Sequence, residues 1–110
     1  MKGDDCMNKS IVVYDKFKLQ FEIDNIATIY EARDYINSRF LLGTECCASV
    51  GDFISEIIGY VESPLLDEWG WALEKTGLIK IELVPGCING QNVLYLNFIT
   101  PPILYYYRLW

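Results

Sequence analysis

Two pairs of adjacent residues carry the side chains in this sequence that are best suited to chemistry. Cys46 and Cys47 are neighbouring thiols, and Asp67 and Glu68 are neighbouring carboxylates directly before the stretch Trp69-Gly70-Trp71. A thiol needs a base to become a nucleophile, and paired carboxylates can act as general acid and base. The sequence contains no histidine, the commonest general base and the commonest metal ligand. We therefore expect that the protein is not an enzyme.

The cysteines and glycines do not have the spacing of a metal or cofactor site. A structural zinc site needs two ligand pairs at short spacing, and a bridge between adjacent cysteines would close a strained ring. The eight glycines form neither a Walker loop nor a dinucleotide-binding pattern. We therefore expect no metal and no cofactor. The cysteines are interpreted as free thiols of a reducing cytosol and as small core side chains: Cys6, Cys46, Cys47 and Cys87.

The negative charge of the chain is concentrated in one region. The net charge is -6, from 15 acids and 9 bases. Between Phe40 and Glu74 there are seven acids and neither lysine nor arginine, which leaves eight acids (15 - 7) against nine bases elsewhere. A surface that binds DNA or RNA carries the opposite charge, so we expect no direct nucleic-acid binding. A protein partner with a basic, nucleic-acid-binding surface would complement this region.

Two groups of side chains are candidates for binding such a partner. The first is the acids of the negative region, and the second is the aromatic tail, residues 103–110, whose large rings suit an interface. The tail either packs back onto its own domain with alternate rings buried, or joins two copies in a homodimer. The predicted partner-binding residues are Glu45, Asp52, Glu56, Glu62, Asp67, Glu68, Tyr105, Tyr107 and Trp110.

The first half of the chain has the periodicity of a hairpin followed by two helices. Residues 17–24 alternate strictly between apolar and polar, as a half-buried strand does, and residues 11–14 supply its partner. Thr28 and Glu31 have the spacing of a capping box, and the stripe Ile29, Ala32, Ile36 and Phe40 has helical period up to Gly43. The same capping pattern recurs at Ser49 and Asp52, before a helix with Phe53, Ile54, Ile57 and Ile58 on one face, ending at Gly59.

The second half indicates more strands. A short strand is expected near residues 69–73, where Trp69 and Trp71 would face the core and Gly70 would let another backbone approach. Residues 77–84 and 92–100 form a hairpin around Asn89-Gly90, a pair that favours a type I′ turn, and Pro101-Pro102 ends it. We predict an α+β fold in which an antiparallel sheet carries two helices on one face, in the order β-hairpin, α, α, short β, β-hairpin.

The chain length and composition indicate one domain. The 110 residues are 52% hydrophobic, and no apolar run reaches the roughly 18 residues of a membrane span. The polar N-terminus lacks the apolar stretch of a secretory signal, so we expect a cytoplasmic protein that does not bind membranes. Residues 1–9 are expected to be flexible, and Met7 is a second candidate start.

Residues 49–84 resemble small uncharacterised proteins encoded by phages and conjugative elements of Gram-positive bacteria. The likeness rests on "SVGDFISEIIG", a polar loop, "EWGW" and the strand "IKIELV", which together match the order of helix, loop, [YW]-G-W element and hairpin in those proteins. This sequence departs from them in its longer "PGCINGQ" turn and its aromatic tail. The resemblance implies a mobile genetic element in a bacterial host and no established activity.

Two functional hypotheses follow from these patterns. The first is a small acidic mobile-element protein that inhibits a host nucleic-acid-directed defence system, as an anti-CRISPR does, by occupying a basic channel. The second is a structural or housekeeping interaction module of the element, homodimeric through its tail. An enzyme that uses Cys46 or Cys47 ranks below both, because it would need a thiol of low pKa.

Overall fold

The computed structural model of the protein describes residues 10–59 and 61–108. Helices and strands are grouped along the chain without βαβ alternation, so the predicted α+β class is confirmed. The predictions for residues 1–9, including the start at Met7, lie outside the described residues. Within the described ranges, no helix is both long enough and apolar enough to span a bilayer.

The predicted N-terminal hairpin is present. Strands β1 (Ser10–Tyr14) and β2 (Leu19–Ile23) pair antiparallel. A single 3-10 turn at Asp15–Phe17 connects them, and Lys18 completes the reversal with a left-handed φ of 56°. Alternate residues of β2 are packed against the core or exposed, as the period-2 pattern predicts.

The predicted C-terminal hairpin is also present. Strands β5 (Ile81–Ile88) and β6 (Gln91–Phe98) pair antiparallel along their full length. The turn between them has φ values of 52° at Asn89 and 82° at Gly90, both positive as a type I′ turn requires. Strand β5 runs through Pro85 and Gly86, which the sequence pattern had placed in the turn.

The two hairpins join into one sheet of order β2-β1-β6-β5, and the prediction that this sheet is wholly antiparallel is wrong. Strands β1 and β6 are parallel, with Val12 opposite Leu94 and Val13 opposite Tyr95. A parallel pair needs a long connection between its strands, and here residues 15–90, which include β2, the described helices and β5, form that connection.

Helix α1 (Ala27–Leu42) buries the predicted stripe Ile29, Ala32, Ile36 and Phe40 against the sheet. It ends at Gly43, whose φ of 75° is left-handed. Its start differs from the prediction, because Thr28 lies inside the helix and makes no cap. The Ala27 N–H instead donates to Asn25 Oδ1 at 2.9 Å, so an Asx side chain two residues earlier begins the helix.

Helix α2 (Val50–Ile58) has the predicted capping box and buries Phe53 and Ile54 on the same face of the sheet as α1. Gly59 ends it with a φ of 92°. Ile57 packs against the core, whereas Ile58, predicted on the same face, is 47% exposed. Two short helices were not predicted, α3 (Pro64–Glu68) and α4 (Leu73–Thr76).

A second, smaller sheet closes the core. Strand β3 (Cys47–Ser49) pairs with β4 (Trp69–Ala72), the predicted short strand, and β4 pairs with β7 (Ile103–Leu104) from the start of the tail. Trp71 is fully buried, and its ring packs against Phe53 and Phe98. The sequence predicts one sheet, whereas the structure has two sheets that share one core.

Candidate functional site

A groove of about 380 Å³ lies between α1, α2 and α3. Four carboxylates reach it from three separate segments, and all four residues are exposed. They are Glu45 after α1, Asp52 and Glu56 on α2, and Asp67 on α3. All four belong to the predicted partner-binding set, so the fold concentrates acids that are spread over 23 positions of sequence (67 - 45 + 1).

Helix α2 presents two of these carboxylates from one face. Asp52 and Glu56 are four residues apart, which places them one above the other on a helix surface. Like charges at this spacing destabilise a helix by about 0.2–0.5 kcal/mol. A cation bound between them would remove that repulsion.

Asp52 also holds the start of α2. Its carboxylate accepts from the Ser49 N–H at 3.0 Å, while Ser49 Oγ accepts from the Asp52 N–H at 2.9 Å. This reciprocal pair fixes the first turn of α2 and with it the direction in which Asp52 enters the groove. Asp52 is therefore a structural residue as well as a groove residue.

Asp67 approaches the N-terminus of α2 through the space left by Gly51. A Cβ placed on Gly51 would lie 2.6 Å from Asp67 Oδ1, so only glycine permits this approach without a shift. The unpaired N–H groups of a helix N-terminus favour a nearby negative charge. This contact draws α3 against α2 and brings the Asp67 carboxylate into the groove.

Arg39 is the one base among the described residues that line the groove. Its Nε donates to Glu45 Oε1 at 2.9 Å, and its guanidinium carbon lies 5.5 Å from the centre of the Tyr35 ring. This hydrogen bond from Arg39 to the Glu45 carboxylate raises the pKa of Arg39 above its ordinary value. Four acids and one base leave the lining with a formal charge of -3 (-4 + 1).

The other predicted partner-binding residues that the structure describes do not line this groove. Glu62 and Glu68 are exposed and do not line it, and the Glu68 carbonyl accepts from the Tyr105 N–H at 2.8 Å. Trp110 is outside the described residues. Tyr35 and Arg39 were missed by the sequence analysis, although their spacing of four on the exposed side of α1, next to the acidic region, is a usable signal.

The described part of the aromatic tail packs back onto its own domain. Tyr106 is buried, Tyr105 is half-buried and Tyr107 is 50% exposed, so the predicted alternation of buried and exposed rings is present only in part. Burial, with the charges of Asp52 and other neighbours, raises the pKa of Tyr106 to about 12, and a hydrogen bond with Ser49 offsets part of that rise. The homodimer through this tail stays a prediction.

A smaller cavity of about 180 Å³ lies between the tail and β4, with Cys46 and Cys47 in its wall. Burial raises the pKa of Cys47, and the neighbouring thiol of Cys46 raises it further. This direction is opposite to the one that a cysteine nucleophile requires. Within the described residues, no three His, Cys, Asp or Glu side chains are grouped so that they could hold a metal ion.

Comparison with known proteins gives no relative from which a function could be transferred: no protein-family model, no curated protein and no solved structure matches the chain.

Proposed function

We propose that this protein acts by binding another protein, and that the groove formed by Glu45, Asp52, Glu56 and Asp67 receives a basic segment of that partner. The observation that carries the proposal is the convergence of four exposed carboxylates from three segments on one groove with a single base. Asp52, Asp67 and Glu45 each have a structural contact, but together with Glu56 they also place like charges close together, and like charges repel unless a cation lies between them.

The chemistry of the groove suits a guanidinium or ammonium group. Two carboxylates on α2 stand one helical turn apart, and Tyr35 offers an aromatic ring at the edge. Arg39 already lies between Tyr35 and Glu45, so the protein's own guanidinium occupies one end of the groove. The other end, around Glu56 and Asp67, has no base in its lining.

Such a groove favours partners that use basic surfaces to hold nucleic acid. A negative groove would steer towards a positive channel and compete with the phosphates that the channel normally binds. In the finer form of the proposal, the protein is encoded by a mobile element, works in the cytoplasm of a bacterial host, and inhibits a nucleic-acid-directed defence protein.

The first experiment measures binding of a fluorescent nona-arginine peptide at low ionic strength. The groove variant Glu56→Gln/Asp67→Asn removes two charges, and the control variant Glu22→Gln/Glu31→Gln removes two charges from exposed positions outside the groove. We expect the groove variant to bind about tenfold more weakly and the control to change by less than about twofold. Equal losses in the two variants would show that net charge alone binds the peptide, and would refute the groove.

The second experiment asks whether a natural partner uses the same site. The wild-type protein and both variants are used to capture proteins from a bacterial lysate, and each captured protein is then challenged with its own nucleic acid. A partner that is retained by the wild type and the control, lost by the groove variant and displaced by DNA or RNA supports the inhibitor. A partner that all three proteins retain contradicts it.

A further inference from the structure

The thiols of Cys46 and Cys47 open onto one cavity, which adjacent residues of a regular strand do not do. The chain bends at Cys46 before β3 begins at Cys47, and both residues line the cavity together with residues of the tail. The neighbouring Cys46 thiol contributes to a raised pKa of the Cys47 thiol. Both are free, and Cys46 is exposed to solvent.

Two thiols alone restrict the kind of metal ion that could bind. Structural zinc and iron–sulfur clusters take four protein ligands, and the described residues offer no grouping of three or more. Thiolates are soft ligands that select Cu(I), an ion whose coordination two sulfurs can complete in a near-linear arrangement.

The charged side chains that line the cavity are opposite in sign to such a complex, and they act against the burial and the Glu45 and Asp52 charges that raise the pKa of Cys47. Two thiolates and one Cu(I) carry a net charge of -1, whereas Glu74, Lys75 and Arg108 in the lining sum to +1. Lys75 donates a hydrogen bond to the Arg108 carbonyl, which holds the tail across the cavity. Ala72 and the rings of Tyr106 and Tyr107 form an apolar wall that would limit access of water to the metal.

We propose that Cys46 and Cys47 form a two-thiolate site for Cu(I), separate from the acidic groove and independent of the proposed function. Binding forms two Cu–S bonds and releases the two thiol protons, so no electron is transferred. The third cysteine of the described residues, Cys87, lies on β5 and does not line the cavity.

The test uses the full chain under anaerobic, reducing conditions, with Cu(I) supplied as its coloured bicinchoninate complex. Loss of the complex's absorbance measures Cu(I) withdrawn by the protein. We expect one Cu(I) per chain, a loss of at least about tenfold in affinity for Cys46→Ser and for Cys47→Ser, and no change for the matched control Cys87→Ser. X-ray absorption of the loaded protein should show two sulfur neighbours.

Three results would overturn the site: no withdrawal of Cu(I), binding that survives Cys46→Ser/Cys47→Ser, or an equal loss in Cys87→Ser. Sedimentation of the loaded protein separates a site within one chain from a bridge between chains. A Cu(I)-dependent dimer would contradict the proposal, and a loaded monomer supports it. Circular dichroism of each variant shows whether the fold is retained, because Cys47 begins β3.

Discussion

Gly70 packs directly against the backbone of Ala48, so closely that a Cβ at position 70 would overlap the Ala48 carbonyl oxygen. The same Cβ would lie 2.7 Å from Ser49 Cα and 2.9 Å from Tyr106 Cε1. Strand β3 lies beside Gly70, and the ring of Tyr106 from the tail packs on Gly70. The missing side chain therefore lets β3, β4 and the aromatic tail meet at one point.

Gly70→Ala should destabilise the protein by about 3 kcal/mol or more, because backbone atoms cannot move aside as a flexible side chain can. The matched control is Gly43→Ala, where a Cβ meets nothing within 4 Å and only the left-handed φ of 75° costs energy. We expect about 1–2 kcal/mol for the control. Urea unfolding followed by circular dichroism gives both values, and similar costs for the two variants would contradict the close approach at Gly70.

Trp71→Phe should cost about 2–3 kcal/mol. Trp71 is fully buried and its Nε1 donates to the Thr100 carbonyl at 2.7 Å, so phenylalanine leaves both a cavity and an unpaired acceptor. The control Trp69→Phe should cost less than about 1 kcal/mol, because Trp69 is only half-buried and its edge contact with Phe17 can be kept. Circular dichroism is the appropriate signal, since tryptophan fluorescence changes with the substitutions themselves. Equal losses of stability in Trp71→Phe and Trp69→Phe would contradict the predicted difference between the two tryptophans.

The local elements of this fold could be predicted because their signals are short-range. The stripe from Ile29 to Phe40, the capping box at Ser49 and the turn at Asn89-Gly90 each depend on residues within about one or two turns of one another. The parallel pairing of Val12 with Leu94 joins residues far apart in sequence, so no local pattern contains it. The start of α1 was misplaced because Asn25 and Thr28 are both acceptable caps, and tertiary packing chose between them.

Pro85 and Gly86 misled the sequence analysis for a related reason. Both residues favour turns, yet β5 is at the edge of the sheet, where the missing N–H of a proline is tolerated. The ring of Tyr95 occupies the space where a Cβ of Gly86 would lie, so the glycine is covered from the neighbouring strand. Neither the edge position of β5 nor the packing of Tyr95 on Gly86 can be predicted without knowing the register of β5 and β6.

The acidic region could be predicted from the sequence, but the groove could not. Counting charges identifies residues 40–74 and does not say which acids meet. Ser63 caps α3 and Pro64 opens it, and this short helix folds back so that Asp67 reaches Gly51. Glu62 lies before this helix and Glu68 is its last residue, yet neither lines the groove, so tertiary structure decides which acids meet there.

Tyr14→Phe should leave the stability unchanged or raise it by up to about 1 kcal/mol. The Tyr14 side chain is 5% exposed, and within the described residues its hydroxyl has no hydrogen-bond partner. Removing an unpaired buried hydroxyl removes its desolvation cost and keeps the ring contacts with Phe17 and Phe98. For comparison, Tyr35→Phe removes a hydroxyl that accepts from Arg39, and no gain is expected. A loss of more than about 1 kcal/mol for Tyr14→Phe would show that this hydroxyl has a partner.

The protein should lose stability as the pH rises above about 10. Burial raises the pKa of Tyr14 far above its ordinary value, and raises the pKa of Tyr106 to about 12. In the unfolded chain these phenols ionise near pH 10, so above that pH the unfolded state binds fewer protons than the folded state and the free energy of unfolding falls. Above about pH 10, each of the two tyrosines lowers the free energy of unfolding by up to about 1.4 kcal/mol per pH unit. Below about pH 10, their contribution to the free energy of unfolding is fully retained.

The urea midpoint measured from about pH 8 to pH 11 tests this slope. Tyr14→Phe/Tyr106→Phe should have a clearly shallower decline than the wild type, because neither phenylalanine can ionise in the unfolded chain. A double variant at exposed positions, Tyr35→Phe/Tyr107→Phe, controls for the removal of two phenols and should follow the wild type. All other ionisable groups are the same in the three proteins, so only the difference between their slopes matters. Parallel curves for the wild type and the Tyr14→Phe/Tyr106→Phe variant would mean that the two buried phenols ionise as readily in the folded chain as in the unfolded one.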